Sequence, residues 1–303
     1  MSEPITNQQD TSRTPLVAPT FVNRIGCLVL AFLVMIIAVG LSKEFTDYLC
    51  AGSERNAFLI SSILQNVLAF MFPAWLTAFL CSDNTARYLG LSQPVRCRQF
   101  LGVIILLLLI SPAMDYIVDW NEKVRLPECM HSFEEMMRRW EDTAADTTRM
   151  ILGDSSIWGL ISGIAIVGLL TGFGEEMLFR AGIQKAMTAS GVNGHIAIWT
   201  TAVIFSAVHF QFFGFVPRVL LGAVFGYLYL YTGSLYVSSW AHALNNSVVV
   251  LSSWLTARGV TTVGFERALD FDGSLWAVFA SVLLSFIFIY RFGRRVFSSP
   301  AHN

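Results

Sequence analysis

The chain has 303 residues, of which 54% are hydrophobic and only 14% charged, with a mean hydropathy of +0.58. Soluble domains carry about 25% charged residues, so this composition excludes a soluble globular domain and makes the chain a polytopic membrane protein. A net charge of −1, with no basic face beyond the short tail Arg291 to Arg295, excludes a nucleic-acid partner.

In chain order, residues 1–20 are polar and rich in Thr, Pro and Gln, and read as a disordered cytoplasmic tail. Windows of about 20 apolar residues then give an all-α bundle of about eight transmembrane helices. They lie near 24–42, 57–80, 100–118, 155–172, 194–210, 217–232, 236–256 and 275–291. The first follows Arg24 and has Ala38-Val39-Gly40 as a signal-peptide-like cleavage site, but the spans behind it favour a start-anchor helix. Residues 21–118 form an N-terminal group of three membrane helices, the third interrupted by Pro112.

Residues 119–154 form an amphipathic extracytoplasmic insertion, with Phe133, Met136, Met137, Trp140 and Met150 at helical spacing. Glu134-Glu135 and Arg138-Arg139 read as a solvated, salt-bridged face, and His131 as a surface histidine. Substrate gating or partner binding by this segment is the alternative. The core follows at 155–291, and 292–303 form a second cytoplasmic tail. Lys and Arg orient the bundle: with the N-terminus inside, short cytoplasmic loops hold ten and opposite loops five, Arg218 among the latter, so both termini are expected in the cytoplasm. The five cysteines contain no C-x-x-C and imply neither a disulfide framework nor a zinc site.

The core is nearly free of charge, which isolates three polar clusters: Glu175, Glu176 and Arg180; Phe205 and His209; and His242 and Asn246. Ionisable groups in hydrocarbon are costly and mark function by default. Glu176 and Arg180 are four apart and form an ion pair along one helix face. Glu175, about 100° around the helix, is left as a general base. His242 and Asn246 project together and can donate hydrogen bonds to an oxyanion. His209 can orient a water against Glu175, while Phe205 packs the wall. Three small-x-x-x-small pairs, Gly159/Gly163, Gly168/Gly172 and Gly222/Gly226, mark close helix packing or a dimer face.

Glu175-Glu176-x-x-x-Arg180, Phe205-x-x-x-His209 and His242-x-x-x-Asn246, in this order on successive helices, resemble the CAAX prenyl endopeptidase and bacteriocin-processing (CPBP, or Abi) family of intramembrane proteases. The resemblance covers residues 155–256. It implies an endopeptidase of membrane-associated proteins or peptides, with its cavity open to the cytoplasmic leaflet and, given the bacterial look of the chain, a place in the bacterial inner membrane. It implies that Glu175 and His209 activate water, that His242 and Asn246 stabilise the oxyanion, and that Glu176 and Arg180 organise the site. Family members are also labelled metalloproteases, and Glu175, His209 and His242 are the candidate zinc ligands. No His-Glu-x-x-His is present. A mechanism without a required cofactor is favoured, because a zinc site needs second-shell acceptors and Glu176 is committed to Arg180. The alternatives are a non-catalytic immunity or binding protein and a secondary transporter.

Overall fold

The computed structural model describes residues 14–20, 22–30, 32, 33, 37, 40, 46, 54–260 and 275–297. All regular structure among them is helical. The main helices are α1 (Glu54–Cys81), α2 (Cys97–Glu122), α3 (His131–Leu152), α4 (Ile157–Thr188), α5 (Gly194–Ala207), α6 (Phe215–Thr232), α7 (Leu235–Ala257) and α8 (Leu275–Arg291). Among the described residues, α1, α2, α4 and the stretch Phe212–Thr232 are long and apolar enough to cross a membrane, and α5 and α8 are shorter apolar helices. The expected first span, 24–42, lies partly outside the described residues, and its described residues are helical. Residues 1–13 and 298–303 of the expected tails also lie outside them.

One boundary differs from expectation. The fourth span was read to end at 172, with the acidic pair between two spans, yet α4 runs unbroken to Thr188 and carries Glu175, Glu176 and Arg180 inside it. Hydropathy windows fall wherever charges enter, but a helix breaks only when its backbone does. Here Glu176 and Arg180 lie as an ion pair on one face of an intact helix. The helix widens instead, through π-helical stretches at Ile164–Leu170 and Met177–Gln184, a feature common at functional sites.

Glycines set the spacing of α4 and α7, which run antiparallel. A Cβ on Gly172 would lie 2.9 Å from the Ala243 backbone N, and one on Gly168 would lie 2.5 Å from Ser247 Oγ. A Cβ on Gly163 would lie 2.8 Å from Val250 Cγ1. Gly222 and Gly226 serve α5 in the same way, against Ala202 and Ile198. These faces are filled within the chain. Gly159 belongs to no such face, since it abuts Asp154 in its own lead-in turn.

The insertion forms one amphipathic helix, α3, across the end of the bundle where α2 ends and α6 begins. Glu134 departs from the expected solvated face. It is 8% exposed and accepts hydrogen bonds from Leu126 N (2.8 Å), Arg138 Nε (2.9 Å) and Arg125 Nη1 (3.0 Å). Glu135 and Arg139, by contrast, are exposed and 4.0 Å apart, a surface pair of little weight. The Leu126 amide and then the two guanidiniums hold the Glu134 carboxyl down to about 2.

Two predictions follow from this packing. Gly172→Ala forces apart two backbones and is expected to cost about 1–3 kcal/mol, whereas Gly26→Ala, with nothing within 4 Å of its Cβ, is near neutral. Equal melting temperatures for the two variants in detergent would overturn the close-packed face. The second prediction concerns pH. Glu134 titrates below its ordinary 4.5, so its contribution is complete above that pH and disappears as pH falls towards about 2. Amide exchange in 124–138 is expected to rise through that window, and Glu134→Gln is expected to be fast throughout.

Candidate active site

The centre of the site is a buried ionic chain. Glu176 is fully buried, and its Oε2 lies 3.1 Å from Arg180 Nε while its Oε1 accepts from His242 Nδ1 at 3.1 Å. Arg180 is 0% exposed. Its guanidinium lies 5.1 Å from the centre of the Phe205 ring and 6.0 Å from that of Phe225, positions where cation–π attraction operates without water. Glu176 therefore carries two partners, where sequence reasoning gave it one.

That second partner fixes His242. An ionised Glu176 requires a proton on Nδ1, which turns Nε2 towards Glu175, whose Oε2 is 3.7 Å away. The imidazole is held flat by stacking on Phe225 (4.9 Å, 23°) and edge-on to Phe205 (5.7 Å, 86°). Glu175 is 8% exposed. A carboxylate, an imidazole and a second carboxylate in sequence form a path along which a proton can be taken, held and returned.

His209 stands just past α5. That helix has 14 residues, about 21 Å at 1.5 Å per residue, too short for a hydrocarbon core of about 30 Å. The turn behind it therefore sits within the depth of the bundle. Phe210, at φ 54°, takes the left-handed conformation that ends α5, a strain of about 1–3 kcal/mol in a non-glycine residue. Ser206 Oγ ties the turn by donating to Phe215 O (2.8 Å). His209 Nδ1 donates to Phe205 O (2.7 Å), which leaves Nε2 free. The half-buried ring lies within electrostatic reach of Glu175, Arg218 and His242. Phe205 forms the wall between the histidines, its ring centre 5.1 Å from that of His209.

Asn246 stands apart from this group. Its Nδ2 donates to Val167 O (3.1 Å), in the π-helical stretch of α4, so the carboxamide clamps α7 to α4. Of the residues expected to converge, Glu175, Glu176, Arg180 and His242 are in direct contact, His209 adjoins them across Phe205, and Asn246 is engaged elsewhere.

Two residues escaped the sequence reading. Asn66 on α1 is 3% exposed and donates to Thr171 Oγ1 (3.0 Å) and Ser62 O (2.8 Å), pinning α1 beside the acidic pair. An asparagine inside a predicted span was the available signal. Arg218, assigned to an outer loop, lies in the first turn of α6, half-buried and bonded to Gln211 Oε1 (2.7 Å).

The candidate metal ligands do not assemble as placed. Among the described residues no three His, Cys, Asp or Glu side chains are grouped to hold a metal ion, and the Phe205 ring stands against both imidazoles. On the outer side of α7, away from the acidic pair's own side chains, lies a shallow apolar groove of about 490 Å³ between Phe100, Phe173, Tyr236 and Trp240.

Residues 157–248 match the family described as type II CAAX prenyl endopeptidase Rce1-like. That segment contains Glu175, Glu176, Arg180, Phe205, His209, His242 and Asn246. The chain is also 34% identical over 92 residues to the protein YpbD of Bacillus subtilis (strain 168), described as uncharacterized. The match covers 29% of this chain and 44% of YpbD, so the chain spans less than half the length of that curated relative. No solved structure matches.

The ionic chain predicts an asymmetry between the adjacent glutamates. Glu176→Ala strands a fully buried guanidinium and is expected to destabilise the protein by about 3–5 kcal/mol. Glu175→Ala leaves His242 its contact with Glu176 and is expected to melt close to the parent. Thermal unfolding of both variants in one detergent checks this, and similar losses would refute the assignment.

Proposed function

We propose that this protein is an intramembrane endopeptidase of the glutamate type, acting on membrane-associated proteins or peptides. The observation that supports this best is the single chain of contacts Arg180–Glu176–His242–Glu175, which orients an imidazole nitrogen at a second, less buried carboxylate. In this reading Glu175, with the free Nε2 of His209 accepting a second hydrogen bond, removes a proton from water. The water oxygen attacks the scissile carbonyl carbon. With its Nδ1 held by Glu176 Oε1, His242 in its imidazolium form would donate from Nε2 to the developing oxyanion. The C–N bond then breaks, and the proton held by Glu175 passes to the departing amine.

Asn246 takes a positioning role, because its amide is engaged by Val167 O. The shallow apolar groove along Phe173 and Ala243 is a surface where the apolar part of a membrane-bound substrate would rest. Water reaches it from the His209 end. No step needs a metal. We further place the protein in a bacterial inner membrane with both termini in the cytoplasm, which rests on the Lys/Arg distribution.

The test uses purified protein in liposomes with a randomised library of N-myristoylated dodecapeptides, read by mass spectrometry. Cleavage is expected, with a loss of about 100-fold or more in Glu175→Gln and in His209→Ala and no loss with EDTA. Cleavage at parental rate in Glu175→Gln excludes the glutamate mechanism. A zinc-restorable loss under EDTA excludes the metal-free one. Peptide binding without any cleavage favours a binding protein on the same fold.

A further inference from the structure

Arg218 is placed against local preference. It sits in the first turn of α6 (Phe215–Thr232), where the helix dipole is positive and a cation is disfavoured. Among the described residues it has no ion-pair partner, and its guanidinium is held by Gln211 alone, through Oε1 (2.7 Å) and the carbonyl O (3.4 Å). The acids nearest in charge make no salt bridge with it: Glu141 accepts from Phe213 N at 3.3 Å, and Glu175 faces His242. Asn121, 2% exposed, caps the same turn by accepting from Val216 N (2.8 Å). The charges of Glu175 and Glu141 both reach Arg218, and its own reaches His209. An oriented guanidinium with no salt bridge among the described residues thus stands on the turn that follows His209, where the helix terminus adds to its field.

We infer that Arg218 is a specificity-determining residue that binds a carboxylate of the substrate beside the turn that carries His209. Arg and carboxylate pair through two parallel hydrogen bonds, and the fixed fork makes the geometry selective. A carboxylate is the anion an unmodified peptide offers, either at its C-terminus or on an Asp or Glu side chain. The inference rests on the peptidase reading for its substrate class. Gln211 pre-orients the fork and yields one donor pair when substrate arrives.

The experiment uses the myristoylated library in two forms, with free C-terminal carboxylates and with C-terminal carboxamides, each made with and without Asp and Glu. The parent protein is expected to prefer carboxylate-bearing peptides by about tenfold or more in kcat/KM, carried in KM, as befits a charged hydrogen bond. In Arg218→Gln the ratio is expected to collapse to near one. Arg218→Lys keeps the charge without the fork and is expected to retain part of the preference. Loss of preference on amidation assigns the C-terminus, and loss on omitting Asp and Glu assigns a side chain. Retention of each library on Glu175→Gln protein, with and without Arg218→Gln, reads binding separately from cleavage. If no library is cleaved, the peptidase reading fails while this binding arm still decides the role of Arg218. Equal handling of all libraries by the parent overturns the inference, as does an undiminished preference in Arg218→Gln. Should Arg218→Gln not fold, an undiminished preference in Arg218→Lys overturns it instead.

Discussion

A fully buried guanidinium in a membrane bundle is the constraint from which the rest of the core can be reasoned. Arg180 cannot snorkel to water at 0% exposure, so a counter-charge must be fixed beside it, and Glu176 supplies one at i−4. One carboxylate leaves lone pairs to satisfy, and these bring in His242 from α7. That contact is possible only if α7 approaches α4 almost backbone to backbone. Gly172, whose Cβ would meet the residue after His242, permits the approach. The glycine face and the ionic chain are one requirement seen from two sides, helix spacing and charge compensation.

The same constraint explains which features were legible in the sequence. Helices α1, α2, α6 and α7 follow from runs of apolar residues and needed no tertiary knowledge. Glu176 with Arg180 was legible because an i,i+4 pair is local to one helix. The link from Glu176 to His242 joins residues 66 positions apart, and no periodicity encodes it. The continuity of α4 was hidden for a related reason, since a hydropathy window counts a paired charge and an unpaired one alike. His209 illustrates a further limit: its Nδ1 is taken by the carbonyl of its own preceding turn, so the tautomer depends on how α5 ends. Arg218 was misplaced because the span began one residue before it, and loop and first turn look the same in a charge count.

The short α5 and the helix α3 together give the site a polar end. Where α5 stops after 14 residues, the backbone groups of the turn carrying His209 need partners beyond the helix. Asn121, Glu141 and Ser206 provide them. Helix α3 is then a cover more than an ornament of the surface. Trp140 packs edge-on to Phe210 (6.0 Å), and Arg138 lies over Phe213 (4.0 Å), which fixes the strained turn from outside. The apolar cavity lies instead beside Phe173 and the early turns of α7.

Stability alone is a poor account of the ionic chain. Desolvating a carboxylate and a guanidinium costs about as much as their attraction returns, and well-packed apolar residues of similar volume often hold a core equally well or better. The surroundings could accept them, since Phe205, Phe225 and Phe179 already pack together there with Arg180 and His242. What leucine or phenylalanine could not do is fix the Nδ1 proton of His242 and turn its other nitrogen to Glu175. The ionic chain is thus better understood as the means of orienting one imidazole in a dry environment, with Arg180 beside Glu176 and Glu176 holding the Nδ1–H of His242.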